Sequence, residues 1–285
     1  MLTCTYINRT YFFTPAVNLL AYSPTQEDQR NRLLLLGCGD LRNVLFTLHS
    51  QGTSAPGCSF EFTMCDMEGA IHARNVFVLT FLARHRQDTA PGGKNLESIW
   101  NAYDHFFITS KNFDVIRDHA KHLLSFADTI EAWPASPYGA LIKVSSDFTL
   151  SELCKFWKYY TQTKDMRVSE PIGASYKKKM KAVFDIRIGP KGIYAGAAHA
   201  VGFHALESIQ TINAAFRAYW STGVIAGNDS DVASLKSDKG GFANPLFAWS
   251  SAPKAGFAVH YGTGCIAGFH VAGAFDQTAP QSQQL

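Results

Sequence analysis

Residues 33–40 read Leu-Leu-Leu-Leu-Gly-Cys-Gly-Asp, an apolar run that stops at a glycine. Four consecutive leucines in this position predict a strand buried on both faces, as the strands of parallel sheets are. Asp40 can cap a following helix, because its carboxylate can accept a hydrogen bond from a free backbone N–H group. The stripe of side chains that this helix would bury consists of Leu41, Val44, Leu45 and Leu48. The stretch therefore predicts a strand, a glycine turn and a helix.

A second strand and a second helix follow. The segment from Ser50 to Ser59 is rich in Gly, Ser and Pro and is predicted to be a loop. Residues 60–65 alternate apolar and polar side chains, as a strand does. Apolar residues then recur at helical spacing from Ala70 to about Arg84. The order strand, helix, strand, helix predicts two parallel strands with a right-handed crossover and both helices packed on the sheet.

The middle of the chain is less regular. Residues 86–108 begin as a polar loop and continue as an aromatic-rich segment without a clear period. A regular apolar stripe over residues 113–127 predicts a helix with Asn112 as its N-cap. Thr149 and Glu152 form the T-x-x-E pattern of a capping box, which predicts the start of another helix.

The sequence changes in character near residue 165, where glycine-rich segments and short apolar runs begin. One further helix is predicted from Ala205 to Tyr219. We therefore predict a core over residues 1–165 and a C-terminal lobe or extension of the same domain over residues 166–285. The predicted fold class is α/β, with a mainly helical insertion and a C-terminal extension.

Composition and charge narrow the class of protein. With 46% hydrophobic and 17% charged residues, the chain is globular rather than disordered. The net charge is +3. The one dense basic run is Lys177-Lys178-Lys179 with Lys181, and such a run is typical of a solvated helix face. No segment has the ~20 apolar residues of a membrane span, the N-terminus lacks a secretory signal, and the six cysteines form no C-x-x-C pair. We therefore expect a cytoplasmic protein with reduced thiols and no metal site. We also expect that the protein binds neither nucleic acid nor a membrane.

The glycine turn also predicts a ligand site. A strand, a G-x-G turn and a helix form the layout in which backbone N–H groups meet a ligand while the glycines let it approach closely. The next strand ends at an acidic segment on the same edge of the sheet, where carboxylates can accept hydrogen bonds from ribose hydroxyls. The predicted ligand-binding residues are Gly37, Cys38, Gly39, Asp40, Asp66, Met67 and Glu68.

The residue types around the turn select among nucleotides. The third glycine of the dinucleotide motif G-x-G-x-x-G is replaced by Arg42, whose side chain disturbs close packing of helix and strand, so NAD and FAD are disfavoured. No G-K-[ST] follows the turn, which excludes a phosphate-binding P-loop. S-adenosylmethionine has no pyrophosphate and satisfies both tests. A methyltransferase and a methyltransferase-like scaffold are therefore the two preferred hypotheses, and an oxidoreductase is the third.

Several segments resemble the fungal DUF4470 family, which is often found beside MYND zinc fingers and whose core is similar to the N-terminal region of dynein axonemal assembly factor 3. The segments that carry this resemblance are Thr14 to Leu19, Leu34 to Asn43, Cys65 to Glu68, Ala73 to Asn75, Trp100 to Tyr103, Ser136 to Gly139, Asn244 to Ala248, His260 to Thr263 and Gly268 to His270. The cysteine and histidine pairs of a MYND finger are missing.

The resemblance implies a class I, Rossmann-like methyltransferase fold that binds S-adenosylmethionine. Gly37 and Gly39 would be the glycines of the first motif, and Asp66 to Glu68 would be the ribose-binding strand end. Two positions depart from an ordinary methyltransferase. Leu35 replaces the acidic residue usually found two places before the first glycine, and Leu41 replaces the third glycine. Both departures lie near the methionine half of the ligand.

The reaction itself is left open by the sequence. Tyr103, Asp104 and His105 are the local candidates for a base, and His260 and His270 could line a substrate pocket, but structural roles explain all five residues as well. The aromatic residues of the segment, Trp100, Tyr103, Phe106 and Phe107, could wall a pocket or pack in a core. No catalytic residue is assigned. We predict an S-adenosylmethionine-binding protein that methylates a small molecule or a protein, or else an inactive methyltransferase-like scaffold or assembly factor.

Overall fold

The computed structural model describes residues 16–21, 30–54, 59–85, 94–162, 165–187, 217–224 and 229–248, and these residues form a mixed α/β structure. The strands are β1 (Arg30–Leu36), β2 (Ser59–Cys65), β3 (Phe107–Ile108) and β4 (Phe242–Ala243). The helices are α1 (Arg42–Ser54), α2 (Gly69–Arg84), α3 (Lys94–Asp104), α4 (Ser110–Leu124), α5 (Asp147–Tyr160), α6 (Pro171–Arg187) and α7 (Asp229–Ser237). Residues 217–222 are also helical, and short 3₁₀ turns lie at Trp133–Ala135 and Pro245–Phe247.

The first two strands are parallel, as predicted. β1 pairs with β2 in a register that runs from Arg30 opposite Ser59 to Leu36 opposite Cys65. Because parallel neighbours cannot be joined by a tight hairpin, the chain returns through α1. The carboxyl ends of both strands therefore meet at one edge, where the glycine turn and the acidic segment lie.

The prediction that β1 is buried on both faces is wrong. Leu34 and Leu36 are 61% and 73% exposed, whereas Leu33 and Leu35 on the other face are half-buried. Side chains alternate between the faces of a strand, so four adjacent leucines divide two to each side whether or not both faces are covered. The helices also differ from the prediction, since within the described residues α2 packs mainly on α5 and α4 rather than on the sheet.

Helix α1 buries a different stripe from the one predicted. Leu41 and Val44 are buried, but Leu45 and Leu48 are 37% and 39% exposed. The buried positions of the next two turns are polar, Thr47 and Gln51. The periodicity of the apolar residues did not reveal these polar contacts.

Residues 16–21 explain one of those polar positions, because they lie along α1. The N–H group of Val17 donates to Asn43 Oδ1 at 3.0 Å, and that of Leu19 donates to Thr47 Oγ1 at 2.9 Å. Asp40 accepts a hydrogen bond from Arg42 N at 3.1 Å, as predicted for a cap. The helix continues to Ser54, so the prediction of a loop from residue 50 is wrong over its first five residues.

The core is built around α2, α4 and α5. Helix α2 confirms the prediction of a helix over residues 70–84 and buries Phe77 and Phe81. Trp157 of α5 is fully buried, stacks on Trp133 with ring centroids 6.0 Å apart, and donates its indole N–H to the carbonyl of Ala73 at 3.2 Å. These contacts fix α5 against α2.

The other two predicted N-caps are each displaced by three residues. The cap of α4 is Thr109, whose hydroxyl accepts from Asn112 N at 3.4 Å, so Asn112 lies in the first turn. The cap of α5 is Ser146, whose hydroxyl accepts from Thr149 N at 3.2 Å. Two polar residues three places apart satisfy the same capping pattern, and periodicity alone does not choose between them. The apolar stripe of α4 was predicted correctly.

Three helices were missed, of which α7 lies in a part of the sequence where no helix was predicted. Helix α3 occupies most of the segment that showed no clear period, and α6 includes the short apolar run that begins at Ala182. Lys177, Lys178, Lys179 and Lys181 lie exposed on α6, which confirms the prediction of a solvated helix face. The predicted helix over residues 205–219 lies mostly outside the described residues. Residues 86–93 of the predicted polar loop also lie outside them.

Described residues after residue 165 contribute to the same core. Strand β4 pairs with β3 in antiparallel register, and Met166 and Phe247 belong to the same cluster of buried residues as Phe77. Described residues on both sides of residue 165 therefore share one buried cluster. The boundary near residue 165 stays a prediction.

We expect His119 to make the stability of the protein depend on pH. The residue is 2% exposed, and its Nε2 lies 2.9 Å from Thr80 Oγ1. Burial, with the charges of Arg84, His122 and His85, lowers the pKa of His119 to about 3 from its usual 6.5. Since the unfolded chain then binds the proton more readily, stability is lost as the pH falls below about 6.5, by about 1.4 kcal/mol per pH unit.

Urea denaturation between pH 7 and pH 4 measures this effect. His119→Gln keeps a donor near Thr80 and does not titrate, so its stability should fall less steeply with acid than that of the wild type. His49→Gln on the exposed face of α1 is the matched control and should keep the wild-type slope. Equal slopes for His119→Gln and the wild type would contradict the assignment.

Candidate functional site

The glycine turn between β1 and α1 has a backbone that favours glycine at both positions. Gly37 and Gly39 have φ angles of +65° and +57°, in the left-handed region that L side chains rarely adopt. A Cβ atom at either position would have no neighbour within 4 Å, so the reason for glycine is the backbone conformation rather than lack of space. The turn is therefore a specific conformation that the two glycines make possible.

Asp66 joins this turn to the end of β2. Its Oδ2 accepts from the N–H group of Gly39 at 3.1 Å, and its Oδ1 accepts from the N–H group of Glu68 at 3.1 Å. A backbone hydrogen bond of 3.0 Å from Cys38 N to Cys65 O runs beside them. The structure thus brings together the two halves of the predicted site, residues 37–40 and 66–68, through one carboxylate.

Two side chains of α2 form hydrogen bonds to the backbone of the site. Asn75 is buried and donates its Nδ2 to the carbonyl of Gly39 at 2.7 Å. His72 Nε2 accepts from the N–H group of Asp66 at 3.0 Å. Both the N–H and the C=O of Gly39 are therefore bonded, one to Asp66 and the other to Asn75.

Sequence reasoning did not assign His72 or Asn75 to the site. Asn75 falls among apolar residues at helical spacing, and an amide in such a place is a signal that a specific partner is needed. His72 gave no signal beyond its place in the first turn of the helix that follows the acidic segment. Their roles depend on how α2 is placed against the glycine turn.

Asp40 and Tyr103 lie on the α3 side of the turn. Asp40 pairs with Arg42, with Oδ1 and Nε 3.2 Å apart, and both side chains are largely buried. Burial, with the negative charge of Asp40, raises the pKa of the Tyr103 phenol far above its usual value. Tyr103 is therefore not a base at neutral pH.

The Tyr103 ring instead supports a buried cation. The guanidinium carbon of Arg74 lies 4.0 Å from the centroid of Tyr103 and 5.0 Å from that of Phe247. Arg74 also donates a hydrogen bond to the carbonyl of Tyr103. This stack is a packing contact, since a guanidinium binds well over aromatic faces.

The remaining members of the predicted site differ in exposure. Met67 is 83% exposed and lies at the rim, whereas Asp66 and Glu68 are half-buried. Burial, together with the charge of Asp66, raises the pKa of the Cys38 thiol to about 12. The thiol therefore stays protonated and is not a nucleophile at neutral pH.

The charges around the turn favour a ligand that brings donors or positive charge. Asp40, Asp66 and Glu68 surround it, and Arg42 neutralises the first of them. A carboxylate already occupies the N–H group of Gly39, in the place where a phosphate-binding loop would offer it to the ligand. The site therefore suits hydroxyl and cationic groups better than a pyrophosphate.

The other candidate base residues have structural partners. His105 is 2% exposed, and its Nε2 lies 3.0 Å from Asp231 Oδ2 on α7. Asp104 is also buried. Phe106 and Phe107 are buried in the core, and their rings pack against each other with centroids 5.3 Å apart.

These partners show that the aromatic residues at 106 and 107 pack in a core rather than wall an open pocket. His260 and His270 lie outside the described residues. Within the part of the chain that the structure describes, no helix is long and apolar enough to cross a membrane. The described cysteines, Cys38, Cys65 and Cys154, are free thiols.

Comparison with known proteins gives one match. No curated protein and no solved structure matches the chain. The family model that matches covers the turn, the acidic segment and all of α2, about a third of the chain. Residues 11–108 match the domain of unknown function DUF4470, which supports the family resemblance predicted from the sequence.

Proposed function

We propose that the chain binds an S-adenosyl ligand at the edge formed by the glycine turn and the end of β2. The observation that carries the proposal is the hydrogen bond from Gly39 N to Asp66 Oδ2. It holds a carboxylate beside a turn at whose two glycines an added Cβ atom would meet no neighbour within 4 Å. Each carboxylate oxygen keeps capacity for a further hydrogen bond, so Asp66 can also accept from a ribose hydroxyl.

The charge of the site supports the same ligand. S-adenosylmethionine carries a sulfonium cation and no phosphate, whereas NAD and FAD bring two phosphates toward the first turn of the helix. The carboxylates of Asp66 and Glu68 attract the sulfonium cation of S-adenosylmethionine and repel the phosphates of NAD and FAD. The parallel β1–β2 pair with α1 between them supports a class I methyltransferase-like fold as part of this proposal.

Methyl transfer is the activity that such a site best supports. Bound S-adenosylmethionine supplies an electrophilic methyl group, and a nucleophile of a small molecule or a protein side chain accepts it. The residues around the turn then contribute by holding the donor in place, since proximity and orientation account for much of the rate of such reactions. Tyr103 and Cys38 stay protonated, so we assign no base to this chain.

A methyltransferase-like scaffold or assembly factor is the second candidate. The observation that favours it is the exposed apolar surface beside the site, where Leu34, Leu36 and Met67 are 61%, 73% and 83% exposed. Exposed apolar residues of this kind are typical of surfaces that contact other proteins. Both carboxylate oxygens of Asp66 also accept backbone hydrogen bonds already. In a scaffold without a ligand, these bonds would be the whole role of Asp66.

Calorimetry with S-adenosylmethionine separates the two candidates. We expect the wild type to bind, and Asp66→Asn to weaken binding by about 1 to 3 kcal/mol, because a charged hydrogen-bonding partner is lost. Asparagine preserves the shape of the side chain but places an NH2 group where one oxygen accepts, so one of the two backbone N–H groups loses its acceptor, whereas Asp66→Ala leaves both without one. Glu61→Gln is the matched control, since Glu61 lies on β2, the strand that Asp66 follows, but pairs with Arg30 and Arg32.

Glu61→Gln should bind as the wild type does. Absence of heat at millimolar S-adenosylmethionine would contradict the binding proposal and favour the scaffold. If binding is found, transfer of a labelled methyl group to fractions of cell protein, metabolites, RNA and DNA measures the activity. Label in RNA or DNA would contradict the proposed class of acceptor.

A further inference from the structure

The hydrogen bond between Asp66 and His72 fixes the protonation state of the histidine. The N–H group of Asp66 lies 3.0 Å from His72 Nε2. A backbone N–H group can only donate, so Nε2 must accept and carries no proton in this arrangement. The imidazole of His72 is therefore neutral, with its proton on Nδ1.

Protonation of His72 would remove this hydrogen bond. Both ring nitrogens of an imidazolium are donors, so Nε2 would face the N–H group of Asp66 without an acceptor between them. The peptide group of Asp66 would lose its partner, and the side chain of Asp66 is what holds Gly39. A proton on His72 therefore loosens the connection between β2 and the glycine turn.

The charged groups near His72 determine how the imidazolium would respond. Asp66 and Glu68 lie on the same turn, and Asp40 lies across it beside Arg42. From the packed helix α5, Glu152 approaches the start of α2 near Gly69 and pairs with Lys155. An imidazolium at this position would be drawn to the Asp66 carboxylate and would compete with Gly39 N for it.

We propose that His72 is a positioning residue of the ligand site, and that the site binds its ligand only while His72 is neutral. The inference rests on the proposed S-adenosyl ligand, whose ribose would be held by Asp66. Acid weakens binding, since the proton must leave His72 before the ligand binds.

The affinity for S-adenosylmethionine as a function of pH tests the proposal. Between pH 7.5 and pH 5.5 the wild type should lose affinity by up to about tenfold per pH unit once His72 is protonated, because binding then releases one proton. His72→Gln places a non-titrating oxygen where Nε2 lay and should bind as the wild type does at pH 7.5, with little further change in acid. His72→Ala should bind weakly at every pH.

The control is His49→Gln, at an exposed position of α1. It should keep the wild-type pH profile. An unchanged acid loss in His72→Gln would overturn the proposal, as would wild-type affinity of His72→Ala. A merely structural histidine would lower the melting temperature in both His72 variants without separating their pH profiles.

A measurement without ligand keeps this inference distinct from the ligand proposal. The backbone amide proton of Asp66, followed by NMR, should shift between pH 7.5 and pH 5.5 in the wild type and stay constant in His72→Gln. If the wild type binds no S-adenosylmethionine at pH 7.5, the ligand proposal fails and this signal alone decides the role of His72. A pH-independent Asp66 amide in the wild type would overturn it.

Discussion

Trp157→Ala is expected to lower the free energy of unfolding by about 3 to 5 kcal/mol, the usual cost of removing a large buried aromatic side chain. The indole is fully buried, stacks on Trp133 and donates to the carbonyl of Ala73. Its loss leaves a cavity between α5 and α2 and removes the indole hydrogen bond to the carbonyl of Ala73. Urea denaturation at pH 7 measures the change.

Two further variants separate the contributions of Trp157. Trp157→Phe keeps a large ring but not the N–H donor, and should cost about 1 to 3 kcal/mol. Phe148→Ala removes an aromatic ring that is 75% exposed on the same helix, and should change stability by less than about 0.5 kcal/mol. A loss below about 1 kcal/mol for Trp157→Ala would contradict the packing described here.

The position of Trp157 connects stability with the ligand site. Its partner, Ala73, lies on α2 between His72 and Asn75, the two residues that hold Asp66 and Gly39. Helix α5 thus fixes the segment from which both side chains reach the glycine turn. We therefore expect Trp157→Ala to weaken any ligand binding at temperatures where the variant is still folded.

Asn244→Ala is expected to cost about 2 to 4 kcal/mol, because several buried polar groups lose their partner at once. Asn244 is 0% exposed, and its Nδ2 donates to the carbonyls of Ala102 and His105 at 2.7 Å each. Its Oδ1 accepts from Leu246 N at 3.0 Å. No other side chain of the described residues makes these bonds.

Asn244→Asp tests the donor side alone. Aspartate keeps an acceptor for Leu246 N but places a second oxygen against the two carbonyls, so its loss of stability should be at least as large. Gln162→Ala, at an exposed amide, is the control and should be neutral. An Asn244→Ala variant as stable as this control would show that the three bonds contribute nothing.

Asn244 also shows how the matched domain is completed. Ala102 and His105 lie near the end of residues 11–108, the part of the chain that matches DUF4470, whereas Asn244 lies more than 130 residues later. The pairing of β3 with β4 and the packing of α2 on α5 cross the same limit. In this chain the matched segment is therefore stabilised by later residues.

Features that depend on neighbouring residues could be predicted from the sequence. The parallel strands and the glycine turn were predicted from short segments, and helices α2, α4 and α5 from helical spacing or a capping pattern. The apolar stripe of α4 was predicted because every third or fourth residue faces the core. Local signals were less reliable at the ends of helices, where Thr109 and Ser146 proved to be the caps.

Other features were decided only by the tertiary structure. Three of them depend on segments that are distant in the chain. They are the burial of one face of β1, the polar stripe of α1 at Thr47, and the hydrogen-bond partners of Asn244. The same holds for the candidate site. The sequence indicated Gly39 and Asp66, but their connection through His72 and Asn75 arises from the placement of α2 behind the turn. A hydrogen bond depends on the distance and direction between two groups, and for groups far apart in sequence only the packed fold sets these.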